Sequence, residues 1–126
     1  MNLSSLKTPL TAVAVAAVAF TLVACGKKEG DGAQVIKIGH VGPTSGAIAH
    51  LGKDNENGAK MAIEELNAAG LKIGDKAVKF ELLAEDDAAD PKQGTAAAQK
   101  LVDAKVQGVI GHLNSGTTIP ASQLYN

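Results

Sequence analysis

The residues best suited to bind a ligand lie near the end of the sequence, between Val109 and Thr118. A short apolar run stops at Gly111 and is followed by small polar residues where a helix can begin. A buried strand that ends in such a loop leaves hydroxyl and main-chain N–H groups facing one point, which is how many α/β proteins bind an anion. The pattern predicts an anion site that includes Ser115 and Thr117, although both residues can also be plain helix caps.

Three strand–helix units in the sequence would position this loop. Apolar segments of strand length alternate with segments of helical spacing, and Asp90-Pro91 is typical of a helix start. Alternating strands and helices predict an α/β fold with a parallel sheet and flanking helices. The predicted strands are Gln34–Val41, Ala77–Glu85 and Gly108–Gly111; the predicted helices are Asp54–Ala69, one from Asp90-Pro91 to about Ala104, and one that begins near Thr117.

The apolar spacing also predicts which face of each helix is buried. The second helix would bury Ala97, Leu101 and Ala104, and Gly70 stands where the first helix should end. In the first helix the predicted inner stripe consists of Gly58, Met61, Ala62, Glu65, Leu66 and Ala69, with Ile63 beside it.

The acidic cluster between the second strand and second helix invites two further interpretations, a metal site and a phospho-acceptor pocket. Its members are Glu85, Asp86, Asp87 and Asp90, and their spacing lacks the alternating ligands of a calcium loop. A phospho-acceptor pocket needs the acidic pair after the first strand, whereas here the pair follows the second. We therefore expect a solvated loop whose last aspartate caps a helix.

The histidines and glycines give no pattern for a metal or a cofactor. His40, His50 and His112 are too scattered to form a predicted metal set, and His112 is expected to order the neighbouring loop by a hydrogen bond. The glycines from Gly39 to Gly46 do not form a nucleotide-binding motif. We expect no metal and no cofactor.

The N-terminus is typical of an export signal. Lys7 precedes an apolar run from Leu10 to Ala24, which is shorter than the about 20 residues that span a bilayer. We predict a cleaved signal peptide at 1–24, with a membrane anchor or a buried helix as alternatives. Residues 22–25 resemble a lipoprotein signal that would place a lipid on Cys25, and the polar, glycine-rich residues 25–33 predict a flexible tether. Ordinary cleavage beside an unmodified Cys25 is the other interpretation.

Composition excludes some classes of partner. All 12 basic residues are lysines and the net charge is −1, so nothing indicates binding to nucleic acid or to an acidic membrane surface. Only 2% of the residues are aromatic, so aliphatic side chains must fill the core.

Several short motifs, in this order and spacing, resemble the first lobe of the periplasmic leucine/isoleucine/valine-binding proteins, the ligand receptors of ABC importers for branched-chain amino acids. The resemblance extends from about Val35 to Tyr125 and implies a two-lobed, type I binding protein. Residues 34–126 would be the first half of its N-terminal lobe, in a truncated chain. The matching motifs are Lys37-Ile38-Gly39, Gly42–Gly46, Asn57-Gly58-Ala59, Asp86-Asp87, Asp90-Pro91 and Val109–His112.

The resemblance implies ligand-binding roles for four residues. In the family, the serine at the position of Ser115 donates a hydrogen bond to the α-carboxylate of the ligand, and Gly116 and Thr117 complete that loop. Leu51 stands where several members have a tyrosine against the ligand, so an apolar contact is expected there without the hydroxyl. A core position at the helix entry is the alternative for Leu51.

Leucine-binding members of the family often carry a disulfide between the acidic loop and the serine loop. The matching positions here are Ala89 and Asn114, and Cys25 is the one cysteine of the sequence. That cross-link is therefore absent.

These observations predict an extracytoplasmic solute-binding protein rather than an enzyme. It would capture a small amino acid in the periplasm, act as a monomer, and deliver the ligand to an ABC permease in the inner membrane. Its own membrane attachment would be limited to a lipid on Cys25. The alternatives are a ligand-sensing lobe of a receptor and an exported α/β enzyme.

Overall fold

A computed structural model describes residues 32–126. The predicted signal peptide at 1–24, Cys25 and nearly all of the predicted tether at 25–33 lie outside the described residues. The elements, in chain order, are β1 (Gln34–Gly42), α1 (Ala49–Ala68), β2 (Lys72–Ile73), β3 (Lys76–Asp86), α2 (Pro91–Asp103), β4 (Gly108–Ile110) and α3 (Ser115–Ser122).

The strands form one sheet in the order β2-β3-β1-β4. Strand β1 runs parallel to β3, from the Gln34–Val78 pair to the Gly42–Asp86 pair, and parallel to β4. The predicted parallel α/β core is therefore confirmed. Because β1, β3 and β4 share one direction, the loops that follow them meet at one edge of the sheet.

The sheet is not parallel throughout, because β2 pairs antiparallel with β3 through Lys72–Ala77 and Ile73–Lys76. Sequence analysis missed β2. It has two residues, and both are exposed, so it carries no apolar alternation.

The helices cover both faces of the sheet. Val41 packs against Ala97 and Leu101 of α2, whereas a Cβ on Gly42 would approach the Gly52 Cα of α1 at 3.7 Å. Successive residues of a strand point to opposite faces, so α1 and α2 lie on opposite sides. Helix α3 packs against α2. Half-buried Leu83, Val106 and Val109 complete the cluster around Val41 and Leu101.

Helix α2 agrees with the prediction in its start and in its buried face. The Asp90 carboxylate accepts hydrogen bonds from the amides of Lys92 and Gln93, both at 2.9 Å, and Pro91 is the first helical residue. Ala97 and Leu101 are buried and Ala104 is half-buried.

Helix α1 differs from the prediction in two respects. It begins at Ala49 rather than Asp54, because two turn hydrogen bonds, Ala49 N to Gly46 O and Leu51 N to Ile48 O, start it earlier. The predicted inner stripe is wrong: Met61 is 60% exposed, and the buried residues are Gly52, Ala59 and Ile63. The helix ends at Ala68, one residue before the predicted end, and Gly70 follows its C-cap with a φ of +61°, as the sequence predicted.

One side chain explains why α1 buries a different face than predicted. Asn67 faces β3 and bonds the main chain of Phe80 twice: its Nδ2 donates to Phe80 O at 2.9 Å, and Phe80 N donates to its Oδ1 at 2.8 Å. This pair brings the face that contains Ala59 and Ile63 onto the sheet. Apolar periodicity does not report such a polar contact.

Among residues 32–126, no helix is long and apolar enough to cross a membrane.

Candidate functional site

The loops after β1 and β3 are joined by Asp86. Its Oδ1 accepts hydrogen bonds from the amides of Thr44 at 2.8 Å and Ser45 at 3.3 Å, and its Oδ2 accepts from the Ser45 hydroxyl. Partial burial raises the pKa of Asp86, but the hydrogen bonds from Ser45, Ala88 and Thr44 outweigh it, so the net pKa lies below its ordinary value. Asp86 thus fixes the shape of this edge as a charged acceptor.

Ser115 is the first residue of α3 and is exposed at the same edge of the sheet. The amides of Thr117 and Thr118 both donate to Asn114 O, at 3.1 and 2.9 Å. Within the described part of the chain, the Ser115 hydroxyl and the amides of Ser115 and Gly116 donate no hydrogen bond. These three donors, at the positive end of the helix dipole, form an arrangement that can bind an anionic group.

Thr117 has a different position from its two neighbours. It is fully buried, its hydroxyl donates to Asn114 O at 2.9 Å, and its Cβ lies 3.0 Å from where a Cβ on Gly94 would be. Its side chain therefore joins α3 to α2, and its hydroxyl is engaged within the chain. Thr117 is not the N-cap of α3, which is Asn114, so neither of the two roles considered for Thr117 describes this packing position.

Leu51 lies in the first turn of α1 and is 44% exposed. A cavity of about 190 Å³ at this edge separates α1 from the loop after β4, and neither Leu51 nor Ser115 lines it. Its walls include His40, Asn55, Gly111 and Leu113. A larger cavity, of about 440 Å³, lies away from Ser115, between the end of α2, β4 and the residues after α3.

A chain of three hydrogen-bonded side chains, which sequence analysis did not assemble, lies beneath these loops, and its members Asp87 and His112 are buried. His112 Nδ1 is 3.0 Å from Asp87 Oδ2, and His112 Nε2 is 3.0 Å from the Tyr125 hydroxyl. The expected solvated loop is wrong for Asp87, which is fully buried. The sequence could have indicated this contact only indirectly. Asp87 and His112 both follow strands that flank β1, so their loops lie at the same edge of the sheet.

The other two histidines have contrasting environments. His40 is buried on β1, and its Nδ1 has no hydrogen-bond partner in residues 32–126. Burial lowers the pKa of His40. His50 is exposed on α1. Across the described residues, no three potential ligands of the His, Cys, Asp or Glu type converge on a metal-binding point.

Comparisons with known proteins agree in family and fold. The model of a family described as "Periplasmic binding protein" matches residues 35–126. The leucine-specific-binding protein of Salmonella typhimurium is 46% identical over 104 residues, which are 82% of this chain and 27% of that protein.

Two solved structures extend the comparison. The crystal structure of the branched-chain amino acid transporter substrate binding protein LivJ from Streptococcus pneumoniae, in complex with isoleucine, aligns with a TM-score of 0.65 and 33% identity. That alignment covers 72% of this chain and 26% of LivJ. A solute binding protein of an ABC transporter from Rhodopseudomonas palustris, in complex with 3,4-dihydroxy benzoic acid, aligns with a TM-score of 0.60 and 31% identity, over 71% of this chain and 24% of that one. This chain thus spans about a quarter of the length of the proteins it matches.

Proposed function

Because this chain belongs to the periplasmic binding protein family, we propose that it is the ligand-binding component of an ABC importer and captures a branched-chain or related amino acid. Residues 34–126 would supply part of the first lobe of the binding domain. The protein would act as a monomer in the periplasm and deliver its ligand to a permease in the inner membrane. A signal peptide at 1–24, a lipid on Cys25 and a tether at 25–33 would export and anchor it.

The observation that carries the proposal is the set of three donors at the start of α3. The exposed Ser115 hydroxyl and the amides of Ser115 and Gly116 are not used within the described chain. A carboxylate is the ligand group that such donors favour, because each hydrogen bond to it is charge-assisted. Leu51 would add an apolar contact to the ligand side chain.

A second lobe would complete the mechanism. An acidic residue there would hold the amino group of the ligand while the start of α3 holds the carboxylate. Contacts to both lobes exist only when the lobes are closed, so the ligand shifts the population toward the closed form. A binding protein needs no bond-making step, and we infer that this protein is not an enzyme.

The ligand class requires a direct measurement. The relatives bind chemically different carboxylates: isoleucine in LivJ and an aromatic acid in the protein from Rhodopseudomonas palustris. Calorimetry of the complete gene product with the standard amino acids and with dihydroxybenzoate would distinguish these ligands. Binding of leucine, isoleucine or valine would support the proposal, whereas binding of the aromatic acid alone would change the ligand class.

The variant Ser115→Ala tests the carboxylate site. It should weaken binding by about tenfold or more, the effect expected when a hydrogen bond to a charged group is lost. Ser122→Ala is a matched control, because Ser122 is exposed at the other end of α3 and its hydroxyl bonds only Ile119 O. Equal affinities for both variants would place the carboxylate elsewhere. Turnover of an ester or a nucleotide, without amino acid binding, would favour the exported enzyme.

A further inference from the structure

Asp87, His112 and Tyr125 form a relay of hydrogen bonds across three segments of the chain. Asp87 follows β3, His112 follows β4 and Tyr125 follows α3. The two distances in the relay are both 3.0 Å, and the side chains of His112 and Asp87 are 1% and 0% exposed. Water therefore does not compete for the hydrogen bond between His112 and Asp87.

The chemistry of the partners sets the direction of each bond. A carboxylate is only an acceptor, so His112 Nδ1 must carry the proton that faces Asp87. In a neutral imidazole the Nε2 atom is then an acceptor for the Tyr125 hydroxyl. Burial, and then the charge of Asp87, raise the pKa of Tyr125, which keeps its hydroxyl proton available for donation. The second Asp87 oxygen accepts from Ala89 N at 3.0 Å.

The relay restrains α3 at both ends. His112 stands just before the helix that Ser115 begins, and Tyr125 stands just after the helix ends at Ser122. The Thr118 hydroxyl, which donates to Asn114 O at 2.9 Å, also lies 3.4 Å from the main-chain oxygen of His112. Within residues 32–126 the Ser115 side chain forms no such restraint, so the direction of the three donors depends on how the whole helix start is held.

The relay also joins the acidic loop after β3 to the loop that leads from β4 into α3, through the bond between Asp87 and His112.

We propose that His112 is a positioning residue for ligand binding: through Asp87 and Tyr125 it holds the start of α3 in the orientation that the ligand carboxylate requires. It does this without touching the ligand. The inference rests on the function proposed above, because it assigns His112 a role in that same site. Preorganised donors bind more tightly, because the ligand does not have to order them.

The test uses graded variants in the complete gene product. Tyr125→Phe removes one hydroxyl and keeps the ring, so it breaks one bond of the relay. His112→Asn keeps a donor near the Nδ1 position and loses the bond to Tyr125, and His112→Phe loses both bonds. His50→Asn is the matched control, because His50 is exposed on α1.

The first measurement is hydrogen exchange at the Thr117 and Thr118 amides, which bond Asn114 O. Exchange at these amides should accelerate by about tenfold in His112→Phe, and by less in the two milder variants, while the amides between β1 and β3 keep their protection. Equal acceleration throughout the sheet would mean that the relay only stabilises the fold. No acceleration would mean that it does not order α3. Either outcome overturns the proposal, and Tyr125→Phe decides it if His112→Phe does not fold.

The second measurement is ligand affinity by calorimetry. Affinity should fall by about tenfold in Tyr125→Phe and His112→Asn and stay unchanged in His50→Asn.

Long-range nitrogen–proton spectra should show His112 protonated at Nδ1 in the unmodified protein, and protonation at Nε2 alone would contradict the relay. If the unmodified protein binds no amino acid, the proposed function fails, while the exchange data still report whether His112 orders the start of α3.

Discussion

Gly111, just after β4, passes so close to Val41 of β1 that a Cβ on residue 111 would lie 2.1 Å from the Val41 carbonyl oxygen. Its φ of +124° is also one that residues with a side chain rarely adopt. This contact sets how the chain leaves β4 and turns toward His112 and α3. The loop that leads to the candidate ligand site therefore depends on a position without a side chain.

The variant Gly111→Ala should lower the free energy of unfolding by about 2 kcal/mol or more, because it adds both a clash with the main chain and an unfavourable φ. Urea unfolding followed by circular dichroism would measure the loss. Gly58→Ala is the control, because a Cβ there meets nothing within 4 Å and alanine is the better helix former. A Gly111→Ala protein as stable as its parent would show that the turn has room to adjust.

Asp86 should make stability depend on pH at the acidic end. Because the folded protein lowers its pKa below the ordinary value of 3.8, the ionised group stabilises the fold above that value. This contribution is lost as the pH falls from 3.8 through the lower pKa of the folded state. The variant Ser45→Ala removes the strongest of the hydrogen bonds that lower the pKa, so the pKa of Asp86 in the folded variant should lie closer to 3.8. Its acid loss of stability should therefore be smaller and should be complete at a higher pH. Ser122→Ala serves as the control in urea unfolding across the same pH series, and identical profiles for the two variants would contradict the assignment.

Burial of His40 should also cost stability. Its Nδ1 has no partner among the described residues, and burial lowers its pKa from 6.5, so the fold disfavours the charged imidazole. The unfolded chain binds a proton more readily, which means that stability falls as the pH drops below 6.5 toward the pKa of the folded state. His40→Leu should raise the free energy of unfolding by about 1 kcal/mol and remove this loss. His50→Leu, on the exposed face of α1, should give no such gain; a destabilised His40→Leu protein would indicate that the imidazole has a partner in the complete molecule.

Cys25 should carry the lipid of a processed lipoprotein. Mass spectrometry of the protein purified from membranes should find a mature chain that begins at Cys25 with a lipid on the sulfur. Cys25→Ala should move the protein from the membrane to the soluble periplasmic fraction. A free thiol at Cys25 would indicate an ordinary signal peptide, and a retained leader would indicate a membrane anchor. Either outcome would contradict the lipoprotein prediction.

Local patterns predicted most of the elements in this chain. Asp90-Pro91 identifies the start of α2 because the cap and the first turn are set by neighbouring residues, and Gly70 ends α1 for the same reason. The start of α1 was missed because its N-cap, Ile48, offers no polar side chain to mark it. Strand β2 has only two residues, which are too few to show the alternation of apolar and polar residues that predicts a strand.

The relay could not be predicted in the same way. Asp87 and His112 are 25 positions apart, and His112 and Tyr125 are 13 apart, so nothing local connects them. The resemblance to a family predicts a ligand-binding role for Ser115, which stays a prediction, whereas the packing role of Thr117 became visible only with the position of Gly94 on α2. Contacts that depend on the arrangement of helices are the part of the site that sequence leaves undetermined.

The double contact between Asn67 and Phe80 has a consequence for how molecules of this protein meet one another. Strand β3 pairs with β2 through Lys76 and Ala77, and the Val78 amide donates to Leu71 O, so within residues 32–126 no other strand borders the outer side of β3 beyond Val78. At Phe80 both the donor and the acceptor of that border are already occupied by the amide of Asn67. A strand from a neighbouring molecule would have to displace that amide first, which discourages aggregation along this side of the sheet.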